Sequence, residues 1–206
     1  ISLSTRNNFE LVHPSLSKED AIEEASRCLL CDDVCNICVG VCPNFANVTF
    51  EATQEKIPIY RIEKRNNKNV SFIDGYFSVE QKPQIFTIGD FCNECGNCNT
   101  FCPTSDAPYL TKPKFYLTEE SFNNEDNCYY LNENTLIYKA NGETQKMEID
   151  DAFIKYDSDQ VSVKYDMNNY ALLNIKLKSN GQNSVVLDKA SEMIFLLKKL
   201  RGTSVF

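Results

Sequence analysis

The chain has 206 residues, ten of them cysteine, with 42% hydrophobic and 24% charged residues and a net charge of −8. That length can bury a core in one or two domains, and the acidic balance argues against nucleic acid and anionic membranes as partners. No apolar run approaches the ~18 residues of a membrane-spanning helix.

Residues 1–16 read as an irregular lead-in with Pro14 as a stop, and His13, the only histidine, reads as a surface or capping residue. The chain opens at Ile1, and its first helix is not expected to follow a secretory signal. It is expected to be an internal or C-terminal piece of a longer polypeptide. Ser17-Lys-Glu-Asp20 marks a helix start, because the serine can cap and the acids favour the positive end of the dipole. Ala21, Ile22, Ala25, Cys28 and Leu29 then recur at helical spacing, which predicts a helix over about 18–29.

That helix leads into Cys28-x2-Cys31-x3-Cys35-x2-Cys38-x3-Cys42-Pro43. Counted back from the proline, Cys31, Cys35, Cys38 and Cys42 form one run and leave Cys28 as a surplus buried thiol. A second register takes Cys28, Cys31 and Cys35 as ligands and leaves Cys38 without a role. The first is favoured, and both stay open.

Residues 47–91 read as strands. Ile57-Pro58-Ile59-Tyr60-Arg61-Ile62 is rich in β-formers, with Pro58 confining it to an edge or a strand start. Asp74-Gly75, flanked by Val70–Ile73 and Tyr76–Val79, predicts a two-residue hairpin. Gln84–Ile88 leads into the second cysteine run, Cys92-x2-Cys95-x2-Cys98-x3-Cys102-Pro103.

After Pro103 the composition shifts to Asn, Asp, Tyr and Lys. Lys114–Thr118 predicts a strand, followed by a polar helix or loop at 119–127. Asn141-Gly142 and Asn180-Gly181 signal two hairpins. Before the second, Leu173, Ile175 and Leu177 alternate with Asn174, Lys176 and Lys178. A final helix is predicted over 188–201, with a stripe of Ala190, Met193, Ile194, Leu197 and Leu200 and Gly202 as its C-cap. Cys128, beside Tyr129 and Tyr130, reads as a core thiol. Neither a Gly-x-Gly-x-x-Gly nor a P-loop motif occurs.

Nine of the ten cysteines fall in the two runs. Neighbours three or four apart suit convergence on a metal better than mutual pairing, which places the chain in a reducing compartment, most simply the cytoplasm. The second run has the spacing with which bacterial ferredoxins hold a [4Fe–4S] cluster, the fourth cysteine of each run serving the other cluster. Cluster I is then expected to take Cys31, Cys35, Cys38 and Cys102, and cluster II Cys92, Cys95, Cys98 and Cys42. Gly96 lets its loop curl with amides towards sulfur. Ile37, Val39, Val41 and Phe101 are expected to keep water off the clusters. The alternative is a structural zinc module acting as an interaction platform, although all-cysteine zinc sites normally use two separated Cys-x2-Cys pairs. The expected fold class is α+β: a two-[4Fe–4S] ferredoxin-like domain at 1–114, with a β insertion at about 47–91, then a small α+β domain at 115–206 without a catalytic constellation.

Glu24–Cys31 resembles the iron–sulfur entry segment of the glutamate synthase small-subunit and dihydropyrimidine dehydrogenase group. Glu24–Val48 and Phe91–Tyr109 are more specifically similar to the C-terminal region of the putative selenate reductase family. That resemblance implies a large cytoplasmic flavo–iron–sulfur protein, with FAD and NAD(P)H bound upstream on a glutamate synthase-like module. It also implies association with molybdenum hydroxylase-type systems and purine degradation in anaerobes. Only the cluster cysteines carry over to these residues, and the extra residue between Cys31 and Cys35 departs from the plain ferredoxin run. The expected function is electron relay between a flavin and a partner redox centre.

Overall fold

Capping chemistry sets the first helix, α1 (Lys18–Ser26): the Asp20 amide donates to Ser17 Oγ at 3.1 Å, and Glu19 and Asp20 occupy the first turn. The computed structural model describes residues 15–27, 35–66, 68–150, 152–178, 184–203 and 205. Cys28, Cys31 and His13 therefore lie outside the described residues, as does Asn180-Gly181. The chain divides into two compact units, residues 1–35 and 36–206. In the first, every described residue of α1 is exposed, Ile22 included.

The second unit starts with the single-turn helix α2 (Ile37–Gly40) and β1 (Asn47–Glu51). Next come β2 (Glu55–Arg65) and β3 (Lys68–Val79), which pair antiparallel along their whole length. Arg65 pairs with Lys68, so the chain reverses just after Arg65, with Asn66 left-handed at φ 48°, and not at Asp74-Gly75 as expected. Asp74 is instead the extra residue of a β-bulge, since Ile59 pairs with Gly75 and Tyr60 with Ile73. Its carboxylate meets Arg61 across the pair at 2.6 Å. Pro58 pairs with Tyr76 on one side only; on the other, β12 (Ser184–Val186) reaches just Arg61–Glu63. Proline's missing amide therefore removes no ladder bond there.

The larger sheet runs β1-β4-β5-β6-β7-β8-β9-β10-β11, where β4 is Pro83–Ile88, β5 Lys114–Tyr116, β6 Cys128–Asn132 and β7 Thr135–Ala140. The remaining strands are β8 (Glu143–Ile149), β9 (Phe153–Asp157), β10 (Val161–Asp166) and β11 (Leu172–Leu177). β5 pairs parallel with both β4 and β6, so the sheet runs without a break through the expected boundary at 114/115. The other pairs are antiparallel, and the β7–β8 turn falls at Asn141-Gly142 as predicted, both residues having positive φ. β12 joins β2 and β3 in a separate sheet, so it makes no hairpin with β11. A bulge at Lys164/Tyr165 breaks the predicted alternation of β11 and turns Leu173 outward while Leu172 packs on the core.

The last helix, α6 (Asp188–Leu200), packs against β2 and β3 of the small sheet and β7 and β8 of the large one. Covered on both sides, it buries Ser191, Phe195 and Leu196 beyond the predicted stripe. The Ser191 hydroxyl is satisfied at 2.9 Å from the Pro58 carbonyl. The short helix α3 (Asn97–Thr100) lies within the second run, and α4 (Pro108–Thr111) and α5 (Glu119–Asn124) lie between that run and β6. No helix among the described residues is long and apolar enough to cross a membrane.

Candidate metal centre

Two copies of one turn, sixty positions apart, carry four of the eight described cysteines. In the first, the Val39 amide donates to the Asn36 carbonyl at 2.9 Å and Val41 to Ile37 at 3.0 Å; in the second, Asn99 donates to Gly96 and Phe101 to Asn97, both at 3.0 Å. Each four-residue helix buries one cysteine, Cys38 in α2 and Cys98 in α3. The two helices pack against each other. Gly96 caps α3 at φ 79°, a conformation that opposes any side chain.

The turns stay equivalent past the prolines. Phe45 donates its amide to the Cys42 carbonyl at 3.3 Å, and Ser105 to the Cys102 carbonyl at 3.1 Å. The next amide in each copy reaches sulfur: Ala46 N–H to Cys42 Sγ at 3.2 Å, and Asp106 N–H to Cys102 Sγ at 3.3 Å. A backbone amide aimed at a cysteine sulfur serves a thiolate better than a thiol. At Cys102 the Thr104 hydroxyl, 3.3 Å away, and the amides of Asp106 and Thr104 hold the thiol below its ordinary pKa against the opposing effects of burial and the Asp106 carboxylate.

The turns are anchored differently. Asn47, 3% exposed, donates from Nδ2 to the Cys38 carbonyl at 3.0 Å and accepts the Thr87 hydroxyl on Oδ1 at 2.8 Å, which ties the first turn to β1 and β4. The second is tied within itself, Asn99 Nδ2 donating to the Asp106 carbonyl at 2.9 Å. Neither Asn47 nor Thr104 stands out in the sequence; the signal available was their fixed distance after the cysteines.

Of the expected ligands, Cys38 and Cys98 are buried, Cys42, Cys92 and Cys102 half-buried, and Cys95 exposed. Cys35, half-buried, ends the first unit. Cys92 follows a 3₁₀ turn, Gly89–Phe91, in which Gly89 lies against the Tyr116 ring. Among the described residues, no three Cys, His, Asp or Glu side chains are grouped closely enough to hold a metal ion. The donor chemistry nonetheless fits an iron–sulfur cluster: soft sulfur atoms in the ferredoxin order, with amides already directed at two of them. Of the four residues expected to shield the site, Val39 and Val41 are half-buried, while Ile37 and Phe101 are exposed, as are Phe45 and Phe91. Cys128 is fully buried, as expected, and burial pushes its thiol up to about 11.

No family model matches the chain, and no solved structure matches it. Over 129 residues, 62% of its length, it is 31% identical to "Putative oxidoreductase YgfK" of Escherichia coli strain K12. It matches the protein of the same name from Escherichia coli O157:H7 to the same extent. The chain spans about a tenth of the length of these curated relatives.

Proposed function

We propose that this chain is the electron-transfer portion of a larger cytoplasmic flavo–iron–sulfur oxidoreductase, holding two [4Fe–4S] clusters in a ferredoxin-like arrangement. The observation that carries this reading is the duplicated turn, with Cys38/Cys98 and Cys42/Cys102 at matched positions and an amide donated to Sγ in both copies. The similarity to oxidoreductases supports a redox setting. Cys92, Cys95, Cys98 and Cys42 would hold one cluster, and Cys31, Cys35, Cys38 and Cys102 the other.

When bound, such clusters accept and release single electrons. The chain's own residues position the sulfurs and supply N–H donors, while the packed pair α2 and α3 sets how the two runs face each other. No acid–base residue is required of this chain. FAD and NAD(P)H would be bound elsewhere in the assembly, whose other redox centre would be of the molybdenum hydroxylase type.

Anaerobic purification followed by metal analysis and EPR tests this function. About eight irons per chain and two reducible S = 1/2 signals are expected of two [4Fe–4S] clusters. A colourless protein with stoichiometric zinc would replace it with a structural zinc module.

A further inference from the structure

At the last cysteine of each turn, the sulfur environments differ in one polar contact. Cys42 Sγ accepts from the Ala46 amide at 3.2 Å, as Cys102 Sγ does from Asp106 at 3.3 Å. Cys102 alone has a side-chain hydroxyl in addition, Thr104 Oγ1 at 3.3 Å. The equivalent position in the first turn is Asn44, which has no hydroxyl.

In a free thiol either atom of the Cys102–Thr104 pair can donate. Once the sulfur ligates iron it has lost its proton, and only the hydroxyl can then donate. A donor on a ligating sulfur stabilises the reduced cluster, which carries the extra electron, more than the oxidised one, so it raises the reduction potential.

We infer that Thr104 is a positioning residue that raises the potential of the one cluster served by Cys102, so that the two clusters are tuned apart by residues 104 and 44. This rests on the two-cluster reading proposed above. The Asp106 carboxylate opposes the effect, but it is turned to its own partners: Oδ1 accepts the Ala107 amide at 2.8 Å, and Oδ2 accepts the Thr111 hydroxyl at 2.9 Å and lies 3.9 Å from Lys112. A change confined to residue 104 isolates the hydroxyl from that charge.

The test uses the anaerobically purified chain and EPR-monitored redox titration. Iron content and two cluster signals are established first in the unsubstituted protein; their absence there refutes the two-cluster reading before any variant is made. In the loaded protein, Thr104→Val, nearly isosteric but without the hydroxyl, is expected to lower one midpoint potential and leave the other in place. Thr104→Ser is expected to keep both potentials, and Asn44→Thr to raise the potential that Thr104→Val leaves alone. Unchanged potentials in a fully iron-loaded Thr104→Val protein, or equal shifts of both clusters, would overturn the inference. If the valine variant fails to assemble, Asn44→Thr decides: a rise confined to one cluster supports tuning from this position, and no rise refutes it.

Discussion

Phe45 and Ser105, sixty positions apart, hold the same left-handed backbone conformation, at φ 54° and 56°. Each lies between the proline and the residue whose amide reaches sulfur, so the conformation aims that N–H at Cys42 or Cys102. For an L-residue this conformation costs roughly 1–2 kcal/mol, less for asparagine. Phe45 is 77% exposed, so little burial is lost on replacing it. Phe45→Asn is expected to stabilise the chain by about 0.5–1 kcal/mol, a rise in Tm of roughly 1–4 °C. A fall in Tm on thermal denaturation would show that the ring, and not the backbone, decides stability at this position.

Gly89 makes the opposite demand. A Cβ there would lie 2.3 Å from the Tyr116 ring, and Tyr116 is itself buried, packed with Phe122 and Cys128. Gly89→Ala is therefore expected to destabilise by about 1–3 kcal/mol, as overpacking in a core does. The double variant Gly89→Ala/Tyr116→Leu should recover part of that loss. A double-mutant cycle in urea measures the coupling, and strictly additive effects would mean that the clash is relieved elsewhere.

Pattern and turn chemistry made much of the fold legible: the capped α1, the Asn141-Gly142 turn and α6 appear where their residues place them. The readings that failed were decided by pairing. Asp74-Gly75 is a good turn dipeptide, yet the strand continues through it because Asn66 turns the chain and Arg61 holds Asp74 across a bulge. Leu173 alternates correctly in sequence but falls at the irregularity opposite Lys164/Tyr165, which no local pattern announces. In the candidate centre the cysteine order was visible because its spacing is written in the sequence itself. Thr104 and Asn47 were not, because an ordinary polar residue acquires its role only from where a turn points it.

Glu55, at the start of β2, accepts a hydrogen bond from the Tyr170 hydroxyl and faces Lys198 and Lys199 at 3.4 and 3.5 Å. Burial raises its pKa, but the Tyr170 bond and the two lysines outweigh burial and hold it below the usual glutamate value. A carboxylate depressed in the folded state contributes stability above its unfolded pKa of ~4.3 and loses it as pH falls through the folded value. Glu55→Gln is expected to cost about 1.5–3 kcal/mol at pH 7, and progressively less as the pH is lowered below that of an ordinary glutamate. Urea denaturation of both proteins from pH 7 to pH 3 reads this directly: parallel curves would mean that Glu55 carries none of the acid sensitivity.

The duplicated turn also bears on the choice of ligands in the first run. Cys35, Cys38 and Cys42 stand sixty positions before Cys95, Cys98 and Cys102, so the extra residue lies upstream of Cys35. The position equivalent to Cys92 is then Asp32, with Cys31 adjacent and Cys28 four residues away in sequence. A one-residue slip can be taken up in a loop, whereas the register Cys28, Cys31 and Cys35 moves the run back by one cysteine and leaves Cys38 without a role. Cys28→Ser is accordingly expected to retain about eight irons and both EPR signals, and Cys31→Ser to lose about half of its iron. Loss of four irons from Cys28→Ser would reverse the assignment in favour of Cys28, Cys31 and Cys35 in the first run while leaving the second unchanged.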